Sequence, residues 1–331
     1  MTVHYLYGTV LTGEAVAANN RGDNIGNTTT LQKVFHQDDL HTSVSAEAIR
    51  FALRYYFQLE SPESVNRKFE NGKLEYFDKD RTYWNPVAGA VRIDDDLMGF
   101  MDAKASVAEK EEVVEEAADD EQPKKGKGRS KAKGTVTIRQ SPLAVGRAVS
   151  LRPYRGELSF NCVSGAKEAG QLSLYAAEMH TTEYQYFFGL NLSDVINKAH
   201  IGQLMSAVAD LPPVAGNHAR FAYDFSPASI VLRVTSAHSS KIQNCFEHDE
   251  ENRTYTIAKL LHRVEAGDIS ASELIVGGEV VTTTEGKKLE ELGVTVFKGV
   301  KVAVDEARRR IALLDPSYQA VAPQVVAGGN S

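Results

Sequence analysis

Residues 41–57 constrain the fold of this chain more than any other stretch, because they specify a helix, its start and both of its faces. Thr42, Ser43 and Ser45 carry hydroxyls of the kind that satisfy free N–H groups at a helix N-terminus. Val44, Ala48, Phe51, Ala52 and Tyr55 recur at helical spacing and predict a buried stripe. Ser43, Glu47, Arg50, Arg54 and Gln58 fall on the opposite, polar stripe. Helix N-termini attract anions through free amides and the helix dipole, so a hydroxylated mouth followed by Arg50 and Arg54 suits a phosphate. The plainer reading is an amphipathic surface helix in which Glu47 pairs with Arg50. Against it, Arg50 and Arg54 are like charges one turn apart, a conflict that an anionic partner relieves.

Composition narrows the class. The chain has 331 residues, beyond the size at which one core stops growing, so one elaborated domain or a domain with large insertions is expected. It is 42% hydrophobic and 24% charged, as soluble globular proteins are. It has no apolar run long enough for a membrane span and no basic, apolar leader. Two cysteines, Cys162 and Cys245, speak against a disulfide scaffold or a cysteine zinc site, and for a reducing, cytoplasmic compartment. The net charge of −7 does not by itself suggest nucleic acid, but charge here is segregated.

Alternation over the first dozen residues predicts a strand. An Asn/Gly/Thr loop at 19–30 follows, then the helix, ending near Ser61-Pro62. Residues 62–100 read as irregular, with turns at Asn71-Gly72 and Asn85-Pro86. An acidic block at 109–121 and a basic one at 124–133 cannot bury enough apolar surface to order themselves, so 102–134 is expected to be a flexible loop. Order is expected to resume at 134–142, with strands at 158–163, 181–192, 216–225 and 229–235 and a helix from 193 stopped by Pro212-Pro213. The last third mixes helices at 253–266 and 302–314, strands at 272–281 and 294–297, and a helical turn at 287–292. A tail at 317–331 is expected to fray. The order suggests an α+β fold, a split βαβ sheet with helices on one face.

No nucleophile elbow, phosphate loop or dinucleotide fingerprint is present. His36, Asp38, Asp39 and His41 offer metal-ligand types at no established spacing, and Asp94-Asp95-Asp96 reads as a turn cap or a metal site. In the 19–30 loop, Gly22 and Gly26 permit close approach while Arg21, Asn24 and Asn27 offer donors. Asn217, His218 and Arg220 form a third donor-rich segment able to contact phosphate or stack on a base. Three such segments at helix and strand ends point to an RNA-backbone site.

Residues 26–33 and 42–54, Asp94–Phe100, His180–Tyr186, Gly216–Arg220 and Ser226–Arg233 occur in an order that resembles the backbone subunits of type I CRISPR-associated Cascade complexes, in particular the DevR-type branch of subtype I-B. The resemblance covers roughly residues 3–314. It implies a modified RNA-recognition-motif palm over 1–61 and 135–316, a fingers-like insertion over 62–134, and a protruding thumb that the sequence does not place. It also implies a non-catalytic protein without cofactor. Its partners would be CRISPR RNA, target DNA paired to the guide, further copies of itself in a head-to-tail filament, and other Cascade subunits. Ser45 and Arg50 match the helix positions that contact the guide, and Arg54 continues that face. Arg21, Asn24 and Asn27 lie in the loop matching the family's first-strand exit. The rival expectation is an endonuclease like type III backbone subunits, using Asp23, Asp38 or Asp39 with a metal; a free-standing RNA-binding module is a third.

Overall fold

The computed structural model describes residues 2–19, 21–36, 38–104, 135–162, 174–216, 221–252 and 254–323. In chain order its principal elements are β1 (Tyr5–Thr12), β2 (Lys33–His36), β3 (Asp39–Val44), α1 (Ala46–Glu60), α2 (Ile93–Met98), β4 (Leu143–Val145), β5 (Ala148–Ser150) and β6 (Tyr184–Asn191). There follow α3 (Ala199–Ala209), β7 (Pro227–Thr235), α4 (Ala258–Glu265), β8 (Leu274–Gly278), α5 (Thr284–Glu291), β9 (Thr295–Phe297) and α6 (Val300–Ala312).

The strands β9-β8-β7-β1-β6-β5-β3-β2 form one sheet in that order, with β4 also paired to β6. Within this sheet, among the described residues, only β8 and β9 pair in parallel. The central four, β7-β1-β6-β5, interleave elements far apart in sequence: Tyr5 sits opposite both Asn191 and Thr235.

Successive side chains of a strand face opposite ways, and β1 divides two cores accordingly. Leu6 and Val10 meet Ile49 and Leu53 of α1, Ile201 and Leu204 of α3, and Val304 and Ile311 of α6. Tyr7 and Leu11 meet the other cluster, with Ile242, Phe246, Leu260 of α4 and Leu289 of α5. Helices therefore pack on both faces, not one, because the segment after β7 folds back under the sheet. Burial on both faces also explains why β7 reads Ile230-Val-Leu-Arg-Val234 without polar alternation. β1 and β6 fit together through glycines: Gly8 lies opposite Phe188 and Gly189 opposite Tyr7, each aromatic ring filling the space over its glycine.

Several expectations are corrected. The 19–30 loop is a hairpin, Arg21–Ile25 against Thr28–Leu31, which joins the strands Glu157–Cys162, Leu174–Thr182 and Ala15–Ala17 in a second sheet. Residues 62–100 hold a hairpin, Arg67–Glu70 with Lys73–Tyr76, whose Asn71-Gly72 turn has φ of 50° and 76°, the left-handed pair that two-residue hairpins require. Residues 102–104 belong to a strand paired with Thr135–Arg139, while 105–134 lie outside the described residues. The helix expected at 253–266 begins at Ala258, after a short strand Thr254–Thr256. The expected frayed tail starts with an ordered turn, Pro316–Val321, because Tyr318 and Val321 enter the core beside α6.

Candidate functional site

The mouth of α1 is built differently from the sequence expectation. Ser45 is the cap: its Oγ accepts from the Ala48 amide at 3.2 Å. Thr42 and Ser43 sit one step earlier, in β3. Thr42 Oγ1 is buried, 2.8 Å from both His180 Nδ1 and Tyr184 Oη. Ser43 Oγ accepts from Arg147 Nη1 at 3.1 Å. Since Ala148 pairs with Val44, Arg147 falls opposite Ser45 at the helix mouth, where it is exposed. The mouth thus presents a capped N-terminus flanked by the exposed Arg147, whose guanidinium is held on Ser43 Oγ.

Arg50 and Arg54 do not reach that mouth. The buried face of α1 is Ile49, Ala52, Leu53 and Phe57, and Phe51 instead meets Phe69 of the hairpin, with ring centroids 5.2 Å apart. The helix is thereby turned so that both arginines point at α2 and the segment leading to β4. Arg50 donates to the Met98 carbonyl at 2.8 Å and to the Leu143 carbonyl at 3.0 Å. Arg54 is mostly covered, its side chain 17% exposed, with Nε 3.7 Å from Asp94 Oδ2. Burial, reinforced by the Arg67 charge and opposed by Asp94, pulls its pKa down to about 10. The like-charge conflict between the two arginines is met from inside the protein: Arg50 by carbonyls, Arg54 by a carboxylate.

That carboxylate belongs to a hub the sequence reading missed. Asp94, Asp95 and Asp96 are fully buried. Asp94 accepts from the Asn66 and Arg67 amides at 2.8 and 3.0 Å. Asp95 Oδ2 accepts from Arg81 Nε at 2.9 Å, Asn66 Nδ2 at 3.0 Å and Tyr83 Oη at 2.5 Å. Asp96 takes the Ile196 and Asn197 amides at 3.0 and 3.1 Å, His200 Nδ1 at 2.8 Å and Arg139 Nη2 at 3.2 Å. Burial raises the Asp96 carboxyl, but the bonds from His200, Ile196 and Asn197 outweigh it and hold its pKa below the ordinary carboxylate value. One six-residue helix therefore ties residues 66–83 on one side to the start of α3 on the other.

The remaining predicted residues separate into two groups. Arg21, Asn24 and Asn27 are exposed on the 21–31 hairpin. Its base adjoins the α1 mouth: Arg21 pairs with Leu31, and the next residue, Gln32, accepts from the Ser43 amide at 2.9 Å. Asn27 lies at the far turn, where its carbonyl accepts from Ala176. Asn217, His218 and Arg220 lie outside the described residues; Gly216 before them packs against Ala18 and Asn19. The aromatic face of the sheet is closed. Tyr5 and Tyr7 stack at 5.6 Å and Tyr7 on Phe187 at 6.1 Å, but Tyr7 Oη donates to the His238 carbonyl at 2.8 Å and Tyr5 Oη bonds the His238 ring at 2.9 Å.

Comparison with known proteins bears on this arrangement. The chain is 36% identical over 321 residues to the CRISPR-associated protein Cas7/Cst2/DevR of Myxococcus xanthus (strain DK1622), covering 94% of this chain and 98% of that one. The chain belongs to the Cas7/Cst2/DevR family. Its fold is similar to that of a chain from a CRISPR RNA-guided surveillance complex, with a TM-score of 0.55 and 11% identity over 92% of this chain and 100% of that one. A chain from such a complex in a pre-nicking state gives a TM-score of 0.50, again at 11% identity, over 92% and 99%. No protein-family model matches.

In this Cas7/Cst2/DevR chain, the exposed donor at the helix mouth is thus Arg147, held on buried Ser43 beside the cap Ser45, with exposed Arg21 at the base of the adjoining hairpin. No local signal in the sequence marked Arg147, whose place follows from the pairing of Ala148 with Val44. The hub carried only the acidic run, since its basic partners come from positions 54, 67, 81 and 139. Among the described residues no group of three or more histidine, cysteine or carboxylate side chains is arranged to hold a metal ion, and no helix is long and apolar enough to cross a membrane.

Proposed function

We propose that this protein is a CRISPR RNA-binding backbone subunit of a type I Cascade effector, polymerising head to tail along the guide and presenting it for pairing with target DNA. Membership of the Cas7/Cst2/DevR family carries the reading, and the fold shared with chains of RNA-guided surveillance complexes supports it. The palm is of the RNA-recognition-motif type; the order β7-β1-β6-β5, with α1 and α3 packed on one face, supports that assignment. The described residues 62–104 belong to the fingers, and the hairpin of Glu157–Cys162 and Leu174–Thr182 is the thumb, supported by its place in a separate sheet between β5 and β6.

The guide's phosphates run past the α1 mouth, over Ser45, Arg147 and Arg21, with Asn24 and Asn27 further along. Bases do not stack on Tyr7 and Phe187, because the segment after β7 covers that face. The protein holds RNA without cutting it, and other Cascade subunits complete the particle in the cytoplasm.

Co-expression with a CRISPR array and the neighbouring genes tests the reading. The expected product is a large particle carrying one discrete RNA of repeat–spacer length. Short heterogeneous RNA, or a monomer without RNA at low salt, overturns it. Arg147→Ala is expected to weaken RNA binding without regard to sequence and to reduce the salt dependence by about one counterion. Cleavage of guide-paired RNA on adding magnesium or manganese would assign the protein to the nuclease class instead.

A further inference from the structure

A cleft of about 300 Å³ lies between the β2–β3 turn, the end of β5 and a short hairpin of Glu247–Asp249 with Thr254–Thr256. Its chemistry is one-sided. Asp39, Glu247 and Glu250 line it, and the cation among its lining residues, Lys259, is paired with Glu247 at 2.7 Å. With neutral histidines, three carboxylates against one ammonium leave it two charges negative.

The uncharged groups are acceptors too. His41 Nδ1 bonds the Ser150 carbonyl at 2.7 Å, which leaves Nε2 of the neutral ring as an acceptor. His36 is held below its usual pKa, by burial first and then by His41 and Lys259. Gln185 also lines the cleft, only 6% exposed. Its Nε2 donates to the Phe246 carbonyl at 2.9 Å, which sets the orientation of the amide, and its buried Oε1 has no donor among the described residues. A buried acceptor without a donor is uncommon in a native structure and calls for a partner.

We propose that this cleft binds a primary ammonium or guanidinium group. Unpaired carboxylates, acceptor imidazole and an orphaned amide oxygen match a cationic donor, and the same negative charge repels phosphate, which sets the cleft apart from the RNA path. Two sources carry that chemistry: a free polyamine, and a lysine or arginine side chain of a neighbouring chain in the assembled particle. The proposal does not depend on RNA binding.

The test is titration calorimetry of the full chain at low salt with spermidine and with arginine amide, using inorganic phosphate as the anionic control. Both cations are expected to bind and phosphate is not. Asp39→Asn combined with Glu250→Gln is expected to weaken cation binding at least tenfold; both residues are exposed, and the melting temperature serves as the check on folding. Repeating the titration on the assembled particle separates the sources. Retained spermidine binding identifies a free polyamine; a site closed in the particle, with assembly impaired in the double variant, identifies a neighbour's side chain. Absence of binding by both cations, or equal affinity in the double variant, overturns the proposal.

Discussion

Asp96→Ala removes the carboxylate that joins the α2 hub to the start of α3. Four donors lose their acceptor: the amides of Ile196 and Asn197, His200 Nδ1 and Arg139 Nη2. Each orphaned buried donor costs about 1–3 kcal/mol. A simple sum overshoots, because water enters the space left by the carboxylate and Arg139 is already 21% exposed. Deleting one partner of a buried pair costs about 3–5 kcal/mol, so about 4 kcal/mol is expected, a large fraction of the roughly 5–15 kcal/mol typical of a folded protein. Denaturant unfolding, followed by tryptophan fluorescence of Trp84, measures it.

Acid adds a second readout. Asp96 has a folded pKa below its unfolded value, near 3.9 for a free aspartate. Its contribution is therefore complete above about pH 4 and is lost as pH falls through the folded pKa. The gap between wild type and variant should narrow below pH 4. A loss under about 1 kcal/mol, well short of the buried-pair range, or a gap independent of pH, would refute the hub as a structural rivet.

Three further outcomes are expected. Arg50→Ala with Arg54→Ala should lower stability by about 2–5 kcal/mol, since the pair satisfies two carbonyls and a buried carboxylate; unchanged unfolding with reduced RNA binding would restore them to the phosphate path. Gly8→Ala places a Cβ 2.2 Å from the Phe188 ring and should cost about 1–3 kcal/mol, whereas Gly13→Ala, with nothing within 4 Å, should cost nothing measurable by the same unfolding assay. The Cys245 thiol, pushed up to about 12 by burial, should resist alkylation in a Cys162→Ser background until the chain unfolds, as mass spectrometry after an iodoacetamide pulse would read.

The sequence was legible where the deciding interaction is local. Ser45, the helix it caps and the Asn71-Gly72 turn were readable because a cap or a two-residue turn is decided within a few residues. The face of α1 was misread by part of a turn. Phe51 is as apolar as Leu53, and only the hairpin carrying Phe69 determines which of them leaves the core. The same rotation turned Arg50 and Arg54 from an external cradle into internal braces. Asp94–Asp96 looked like a turn or a metal site because four arginines from distant positions meet only in the folded chain. Arg147 gained its place from the Ala148–Val44 register, which no local pattern encodes.

The position of β1 between β6 and β7 sets an order of events during synthesis. The hairpin at 67–76 closes within ten residues, but Tyr5 has no strand neighbour until residue 191 exists and no second one until residue 235. At a ribosomal rate of about 5–20 residues per second, that is a wait of roughly 10–50 s after the first residues emerge. During it the apolar N-terminal strand has both edges open while the 67–76 hairpin is already complete. Such long-range pairing makes folding slow, so the N-terminal dozen residues are the stretch most dependent on chaperone cover. Truncations ending before residue 227 should accumulate as aggregates rather than as a smaller folded sheet.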